Sequence, residues 1–551
     1  VREKSTPPPP SFWAKVPVDP EFDQWLTVRF SHRVLVVVRT VTTLTRLLDV
    51  VSLLKDDPRV QIVFTHNERE PAILSSGVGE FLASLDAKVI SWEQAVETRF
   101  DLAIAASEND ELHRLDAPVL LVPHGIGHQK HYPHQPVISG LNPARLVRDG
   151  HVVPSRIGLS HSNQLRYIRR NCPQAEPHAV VVGDPCHDRM LASLNRAARY
   201  RRLLDVRDRR HVVLASTWGP DSLLGTDPGL PARLLTELPV DEYKFSLIAH
   251  PGAWAAHSPW QIRAWLSRAL RAGLAVIPPQ RGWQATVVSA DCLVSDGGSI
   301  ALYAAAAKIP VLIGSREPAT VVPDSPLAEL LVRAPRLDQE RDLREQVDQA
   351  CAAGPLTEVA AQAVEFSGKC AELLRPVLYE LMRLAEPDTR AVFLPVPDPV
   401  PDVTEPATFS VEVRRHTDHL TVSRFPTEQA GRSGSLDRHV VAHEELSTLD
   451  ELEGAAVVYC EFTGEDTEFD GWAREISRRR PDAALVAGIG VDRCLLWSTG
   501  EPVVELTTRG EPLAAISAYY WRRERNLPAT GSFRVREGHH TRNVVVSLLT
   551  D

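Results

Sequence analysis

Residues 290–313 read ADCLVSDGGSIALYAAAAKIPVLI. Leu293 and Val294 close a short apolar run, which predicts a buried strand. Asp296, Gly297, Gly298 and Ser299 follow without a spacer, and an alanine-rich, helix-forming segment then runs to Lys308. Pro310 to Ile313 begin the next apolar run. The unit is strand, glycine turn, helix, strand, the repeat from which parallel sheets are built. Such a turn aims unpaired backbone N–H groups and the positive end of a helix dipole at one spot. That spot attracts phosphate, and two glycines keep side chains out of the way.

The alternation extends in both directions. Around the quoted stretch, Val212–Ala215, Phe245–Ala249, Leu274–Ile277, Cys292–Ser295 and Val311–Ile313 predict strands, with helices at Leu230–Leu238, Trp260–Arg271 and Ser299–Lys308. Upstream, Val34–Val38, Val60–Phe64, Asp101–Ala106, Val119–Val122, Ile157–Ser160 and Ala179–Val182 do the same. Leu44, Leu47, Leu48, Val51 and Leu54 share one helical face, and Leu74–Leu85 predicts a second helix. The expected fold class is α/β, with two tandem doubly wound Rossmann-like domains at 33–200 and 201–385. A helical stretch from Thr357 to Leu384, kinked at Pro376, closes the second. Ligands in this architecture bind between the domains, facing the carboxyl ends of both sheets.

The flanks read differently. Residues 1–32 open on a proline tract and predict a tail or strap. Residues 386–406, EPDTRAVFLPVPDPVPDVTEP, predict an acidic, proline-rich linker. Residues 407–551 predict a small α+β domain, with a hairpin of Phe409–Val413 and Leu420–Ser423, strands at Ala455–Tyr459, Ala483–Ala487 and Cys494–Trp497, and a helix at Trp472–Arg479. No chemical motif stands out in that third region.

At 551 residues the chain exceeds one hydrophobic core. A net charge of −10 argues against a general nucleic-acid binder, which needs a positive surface. No apolar run is long enough to span a bilayer, and no basic amphipathic helix marks a lipid surface, so peripheral membrane contact is the only kind left open. The segment VREKSTPPPPSFW lacks the apolar core of a secretory signal. The seven cysteines form no CxxC pair, which argues against a disulfide framework or zinc ribbon and fits a reducing cytoplasm. A cytoplasmic enzyme without cofactor is expected.

Five loops at predicted strand ends carry the candidate chemistry. In Pro123–His131, His124 directly follows a strand, and a neutral imidazole there can take a proton from a hydroxyl. His124, His128, His131 and His134 do not predict a metal site, because no carboxylate or Cys has matching spacing and Gly and Pro break any aligning helix. Gly183–Asp188 reads as a tight turn in which Asp188 caps the next helix. Ser216-Thr217-Trp218-Gly219 offers hydroxyls beside a glycine, and His250-Pro251 offers an imidazole donor. Ser295–Ser299 is the glycine turn.

Taken together, in this order, the five loops resemble the GT-B superfamily group that includes the CDP-glycerol glycerophosphotransferases of teichoic acid synthesis and, more distantly, the UDP-N-acetylglucosamine 2-epimerases. His124-Gly125 looks like the HG-loop, Gly183, Pro185 and Asp188 like the GxPxxD turn, and Ser216–Gly219 like the PTWR-like segment. His250-Pro251 looks like the HP dipeptide, and Ser295–Ser299 like the TDSGG loop. The resemblance covers about residues 33–385. It implies a nucleotide-activated donor, CDP- or UDP-linked, in the second domain and a hydroxyl acceptor in the first. It implies His124 as general base, with Asp296 fixing the turn or reaching a substrate hydroxyl. His250, Gly297, Gly298, Ser299 and Thr217 would hold the donor diphosphate. Lys130, Asp188 and Arg281 are further candidate substrate contacts. Three departures stand out. Gly219 occupies the position of the usual Arg, Lys130 falls one position late, and Ile300–Tyr303 lacks the ribose-binding Glu pair of the epimerases. Two other readings follow: an epimerase- or hydrolase-like enzyme acting on a UDP-sugar, and a non-catalytic nucleotide-binding scaffold.

Overall fold

The computed structural model describes residues 13–68, 71–133, 135–315, 319–426, 437–491, 493–528 and 530–549. The proline tract of the N-terminal tail and His134 lie outside the described residues.

Residues 32–38 form a strand whose run Val34–Val38 is buried on both faces, the condition of a central parallel strand. It sits in a seven-stranded parallel sheet of order Val89–Ser91, Val60–His66, His32–Val38, Leu102–Ala105, Val119–Leu121, Arg156–Leu159, Ala179–Val181. The edge strand Val89–Ser91 escaped the sequence reading because only Ile90 of its three residues is buried. The second sheet is parallel too, in the order Ala275–Ile277, Tyr243–Ala249, Arg210–Ser216, Cys292–Ser295, Val311–Ile313. Strand order reverses beside His32–Val38 in the first sheet and beside Arg210–Ser216 in the second. At such points the loops leave in opposite directions and open a crevice.

The chain then crosses between the halves twice more. The helical stretch expected over 357–384 is two helices, Thr357–Ala360 and Cys370–Met382. Phe366 and Gly368, with φ of 55° and 81°, break it, and Pro376 is accommodated within the second helix. Leu374, Leu378 and Met382 of that helix join Val34 and Val36 in the core of the first sheet, although the sequence reading assigned them to the second domain. Residues 386–406 form a packed strap rather than a free linker. Ala391 and Phe393 are buried in the first core and Val396 in the second. Asp402 and Val276 exchange backbone hydrogen bonds of 2.8 Å at the open edge of the second sheet.

The C-terminal region contains helices and strands as expected of an α+β unit, but its sheet is a closed barrel of nine strands. Helix Pro512–Arg523 lies in the barrel core, buried on nearly all sides, among Val411, Val422, Val457, Leu496 and Val544. Sequence reading missed this helix and the strands Arg438–His443, Val504–Thr507, Gly531–Glu537 and His540–Leu548. The barrel is fastened to the second domain. The Arg424 guanidinium donates to Asp241 at 2.7 and 3.0 Å, the Arg424 N–H donates to the same carboxylate, and Val240 N–H donates to the Arg424 carbonyl at 2.9 Å. Gly538 is needed at this contact, since a Cβ there would lie 2.4 Å from the Asp241 carbonyl oxygen. Among the described residues no helix is long and apolar enough to cross a membrane.

Candidate active site

Beyond the carboxyl ends of the two sheets, loops of the two domains meet directly. His131 N–H donates to the Thr320 carbonyl at 2.7 Å, and Val322 N–H to the Gln129 carbonyl at 3.0 Å. The loop after Val119–Leu121 is thus hydrogen-bonded to the segment after Val311–Ile313, and the cleft floor spans both domains.

Five of the sequence-predicted residues gather there: His124, Lys130, His250, Gly298 and Ser299. His124 is exposed to the cleft and has no hydrogen-bond partner among the described residues. Desolvation by the surrounding protein, then His128, Arg46 and Lys130, push its pKa down, toward about 4. At an open cleft the direction is what matters: the imidazole is neutral at pH 7 and can accept a proton. His250 begins helix Pro251–His257, and its Nδ1 accepts the Gly252 N–H at 2.9 Å. That bond fixes the proton on Nε2, which faces Thr42 Oγ1 at 3.5 Å across the domain gap. Desolvation, then His124 and Lys130, lower the pKa of His250 to about 3, so it stays a neutral N–H donor. Lys130 makes no ion pair among the described residues; burial lowers its pKa and Asp296 opposes that shift.

Ser299 opens helix Ser299–Ala306 without a side-chain cap, because Gly298 occupies the cap position. The first-turn N–H groups therefore lack a side-chain acceptor and form the positive end of the helix. Ser299 faces Gly125 so closely that a Cβ on Gly125 would lie 2.7 Å from Ser299 Oγ. Gly297 takes φ of 82° with Leu331 packed where its Cβ would be.

Thr217 and Asp188 are engaged in the protein's own hydrogen bonds, and of the two roles read for Asp296 the bonds it makes are those of fixing the turn. Asp296 is fully buried, and its Oδ2 accepts from Thr217 N–H (2.6 Å), Thr217 Oγ1–H (2.9 Å) and Leu223 N–H (2.9 Å). It ties the two loops of the switch point together. Its Oδ1 has no hydrogen-bond partner among the described residues, and burial raises its pKa. The Thr217 hydroxyl proton is committed to Asp296 rather than to a ligand. Asp188 is also buried. It accepts from Gly368 N–H at 2.8 Å and Cys370 N–H at 2.7 Å, anchoring the helix that returns to the first sheet. The cap of helix Pro185–Leu191 is Asp184, not Asp188. Arg281 is exposed on the loop after Ala275–Ile277 and forms no ion pair among the described residues. Gly219 has φ of 89° and open space around it.

The sequence reading missed a buried ion cluster beneath the cleft. Arg46 donates to Asp184 at 3.0 Å and to the Tyr303 hydroxyl; Tyr303 donates to Asp184 at 3.0 Å; Arg189 pairs with Asp49. Arg46 and Asp184 belong to the first domain, and Tyr303 lies one turn along the helix that Ser299 begins. Trp218, 45% exposed, also lines the cleft beside Gly252 and Leu74. A further crevice in the first domain brings Glu108, His124, His128 and Ser139 together. Glu108 is held there by the Tyr132 hydroxyl at 2.7 Å and Gly140 N–H at 2.9 Å. Far away in the barrel, His443, Cys460 and Glu461 converge with metal-ligand proximity. His443 Nδ1 accepts the Glu445 N–H at 3.1 Å, so Nε2 carries the proton and donates to Glu461 at 2.9 Å, leaving the ring no lone pair for a metal.

No protein-family model matches the chain, and no curated protein matches it. Among solved structures, the wall teichoic acid polymerase TagF is 12% identical over 64% of this chain and 90% of its own, with a TM-score of 0.42. A variant of it soaked with CDPG is 11% identical with the same coverage and a TM-score of 0.44. The Anabaena protein HepE in complex with UDP-glucose is 11% identical over 64% of this chain and 100% of its own, with a TM-score of 0.39. These likenesses are too low for fold or activity to rest on them.

Proposed function

We propose that the chain is a transferase of GT-B type. It moves a glycosyl or glycerophosphate group from a CDP- or UDP-linked donor to a hydroxyl acceptor, with His124 as general base. The observation that carries this reading is the juxtaposition in one interdomain cleft of a neutral, unpartnered His124 with Lys130, the His250 Nε2–H and the uncapped helix at Ser299. His124 takes the acceptor's proton as its oxygen bonds to the transferred carbon or phosphorus. The bond to the nucleotide's phosphate breaks, and the leaving phosphate carries away the electron pair. Charge growing on that phosphate is met by the His250 N–H, the first-turn N–H groups at Ser299, and Lys130. Asp296 acts through Thr217 and the glycine turn as a positioning residue. The epimerase reading loses support, since Asp184, Asp188 and Asp296 are all buried and engaged.

A thermal-shift panel of CDP, UDP, GDP and their sugar or glycerol conjugates tests the donor class. A ligand at 100 times its Kd adds about 2.7 kcal/mol of stability. A shift with CDP or UDP conjugates above that with GDP supports the reading. No shift with any nucleotide overturns it, together with the scaffold alternative.

The close approach of Gly125 and Ser299 gives a second expected outcome. Gly125→Ala forces Ser299 aside and lowers kcat/KM by about tenfold or more. Adding Ser299→Ala removes the hydroxyl in the way, leaves Ser299 Cβ at an ordinary 3.5 Å, and returns the double variant to the level of Ser299→Ala alone. A Gly125→Ala enzyme with unchanged kcat/KM for a CDP- or UDP-linked donor separates this loop from the donor site.

A further inference from the structure

One crevice of the first domain has His124 among its walls, together with Ser107, Glu108, His128 and Ser139. Its free space is about 10 Å³, room for one water-sized group. His124 is exposed, whereas Glu108 and His128 are 3% and 4% exposed, so His124 marks the open end. The buried end is lined by hydrogen-bond acceptors. His128 Nδ1 lies 3.0 Å from the Ser139 carbonyl, which can only accept, so Nδ1 holds the proton and Nε2 the lone pair. That Nε2 is buried and has no hydrogen-bond partner among the described residues. Glu108 takes the Tyr132 hydroxyl and the Gly140 N–H on one oxygen, Oε1. Its Oε2 accepts no hydrogen bond among the described residues. No Lys or Arg is among the walls. We propose that this crevice is an acceptor subsite for a primary ammonium, and that the acceptor is an amino alcohol whose amine neighbours the hydroxyl that reacts.

The chemistry of the walls selects the ligand. A buried acceptor left unpaired destabilises the free protein, and a donor that reaches it relieves this. A hydroxyl has one proton and serves only one of His128 Nε2 and Glu108 Oε2. An ammonium has three, serves both, and brings the positive charge that no wall residue offers the Glu108 carboxylate. A phosphate or carboxylate would meet lone pairs and no cation. Burial lowers the pKa of His128, so its ring is neutral and its lone pair available at pH 7. The backbone makes the room. Gly140 has φ of 88°, and a Cβ there would lie 2.7 Å from His128 Cε1. Asn109 Nδ2 donates to the Tyr132 oxygen at 2.8 Å, and the Tyr132 proton goes to Glu108. Because His124 is a wall of the same crevice, and only one group fits inside it, the ammonium and the reacting hydroxyl sit on adjacent carbons. The ammonium also makes that hydroxyl a stronger acid, which eases transfer of its proton to His124. The inference rests on the transferase reading and adds the class of the acceptor to it.

The full chain is given UDP-glucose or CDP-glycerol at pH 7 with ethanolamine, ethylene glycol or 1-propanol. Nucleotide release and transfer product are read by chromatography. The three acceptors share the reacting hydroxyl and differ only at the other end, which is ammonium, hydroxyl or methyl. The expected result is transfer to oxygen, with kcat/KM for ethanolamine about tenfold or more above ethylene glycol and 1-propanol lowest. Glu108→Gln puts an N–H donor where Oε2 stood and brings ethanolamine to within about twofold of ethylene glycol. Ethanolamine no better than ethylene glycol in the parent, including no transfer to either, overturns the proposal and leaves the crevice to water. An unchanged preference in a Glu108→Gln chain that keeps the parent's thermal shift with nucleotide also overturns it. Where Glu108→Gln does not fold, the parent's acceptor series decides alone. No thermal shift with any nucleotide is the separate failure of the transferase reading, and it takes this proposal with it.

Discussion

His124→Ala lowers kcat by about two to four orders of magnitude, the range a positioned general base contributes. The donor's Kd, read by thermal shift, stays within about twofold, because the proposed function assigns the donor to His250, Lys130 and the helix at Ser299. The pH profile is the sharper measure. His124 has its pKa pushed down from 6.5, toward about 4, so its basic form dominates through neutrality. Activity from this group is therefore present above the depressed pKa and lost as pH falls through it. An enzyme with the ordinary histidine value would lose activity already between pH 7 and 6. His124→Gln preserves size but accepts no proton in this range, and it should match the alanine variant. Full turnover in either variant, or a profile that falls through pH 6.5, removes His124 from the base role.

Arg46→Met produces the largest loss of stability. Arg46 is 4% exposed and faces Asp184, which is 1% exposed, and removing one partner of a buried pair costs about 3–5 kcal/mol. The loss reflects the charge left on Asp184 more than the attraction removed. Two checks follow from that cause. Arg46→Met with Asp184→Asn should recover much of the loss, since the stranded charge is gone. Tyr303→Phe should cost only about 1 kcal/mol, the ordinary worth of one hydrogen bond. Differential scanning calorimetry reads all three as shifts of the transition in which the two sheets unfold. Because Tyr303 and Ser299 share one helix, Arg46→Met should also weaken donor binding. A Tm within a degree of the parent would show that the pair is already reached by water.

The two parallel sheets were legible because their strands are continuous apolar runs. Val34–Val38 and Leu293–Val294 need no partner to be recognised. The cleft loops were legible for a related reason: polar residues such as His124 and His250 directly follow such runs. What could not be read is which polar group turns inward. Asp296 beside a glycine turn looks like a reacting carboxylate, and only the packing of Thr217 and Leu223 over it makes it a strut. Arg46 and Tyr303 are 257 positions apart, and no local period encodes their contact. The barrel was the larger omission. Its strands Leu420–Pro426 and Gly531–Glu537 pair in parallel across more than a hundred residues, and strand His540–Leu548 is mostly exposed, so its apolar alternation is weak.

The fastening of Arg424 to Asp241 has a mechanical consequence. Asp241 lies just before strand Tyr243–Ala249, and His250 stands at that strand's far end. The barrel is thus bolted to one end of a stiff rod whose other end carries the His250 imidazole of the cleft. If the two halves swing, the barrel travels with the second domain as ballast on one jaw. Anything that holds the barrel holds that jaw by a handle, without ever touching the cleft.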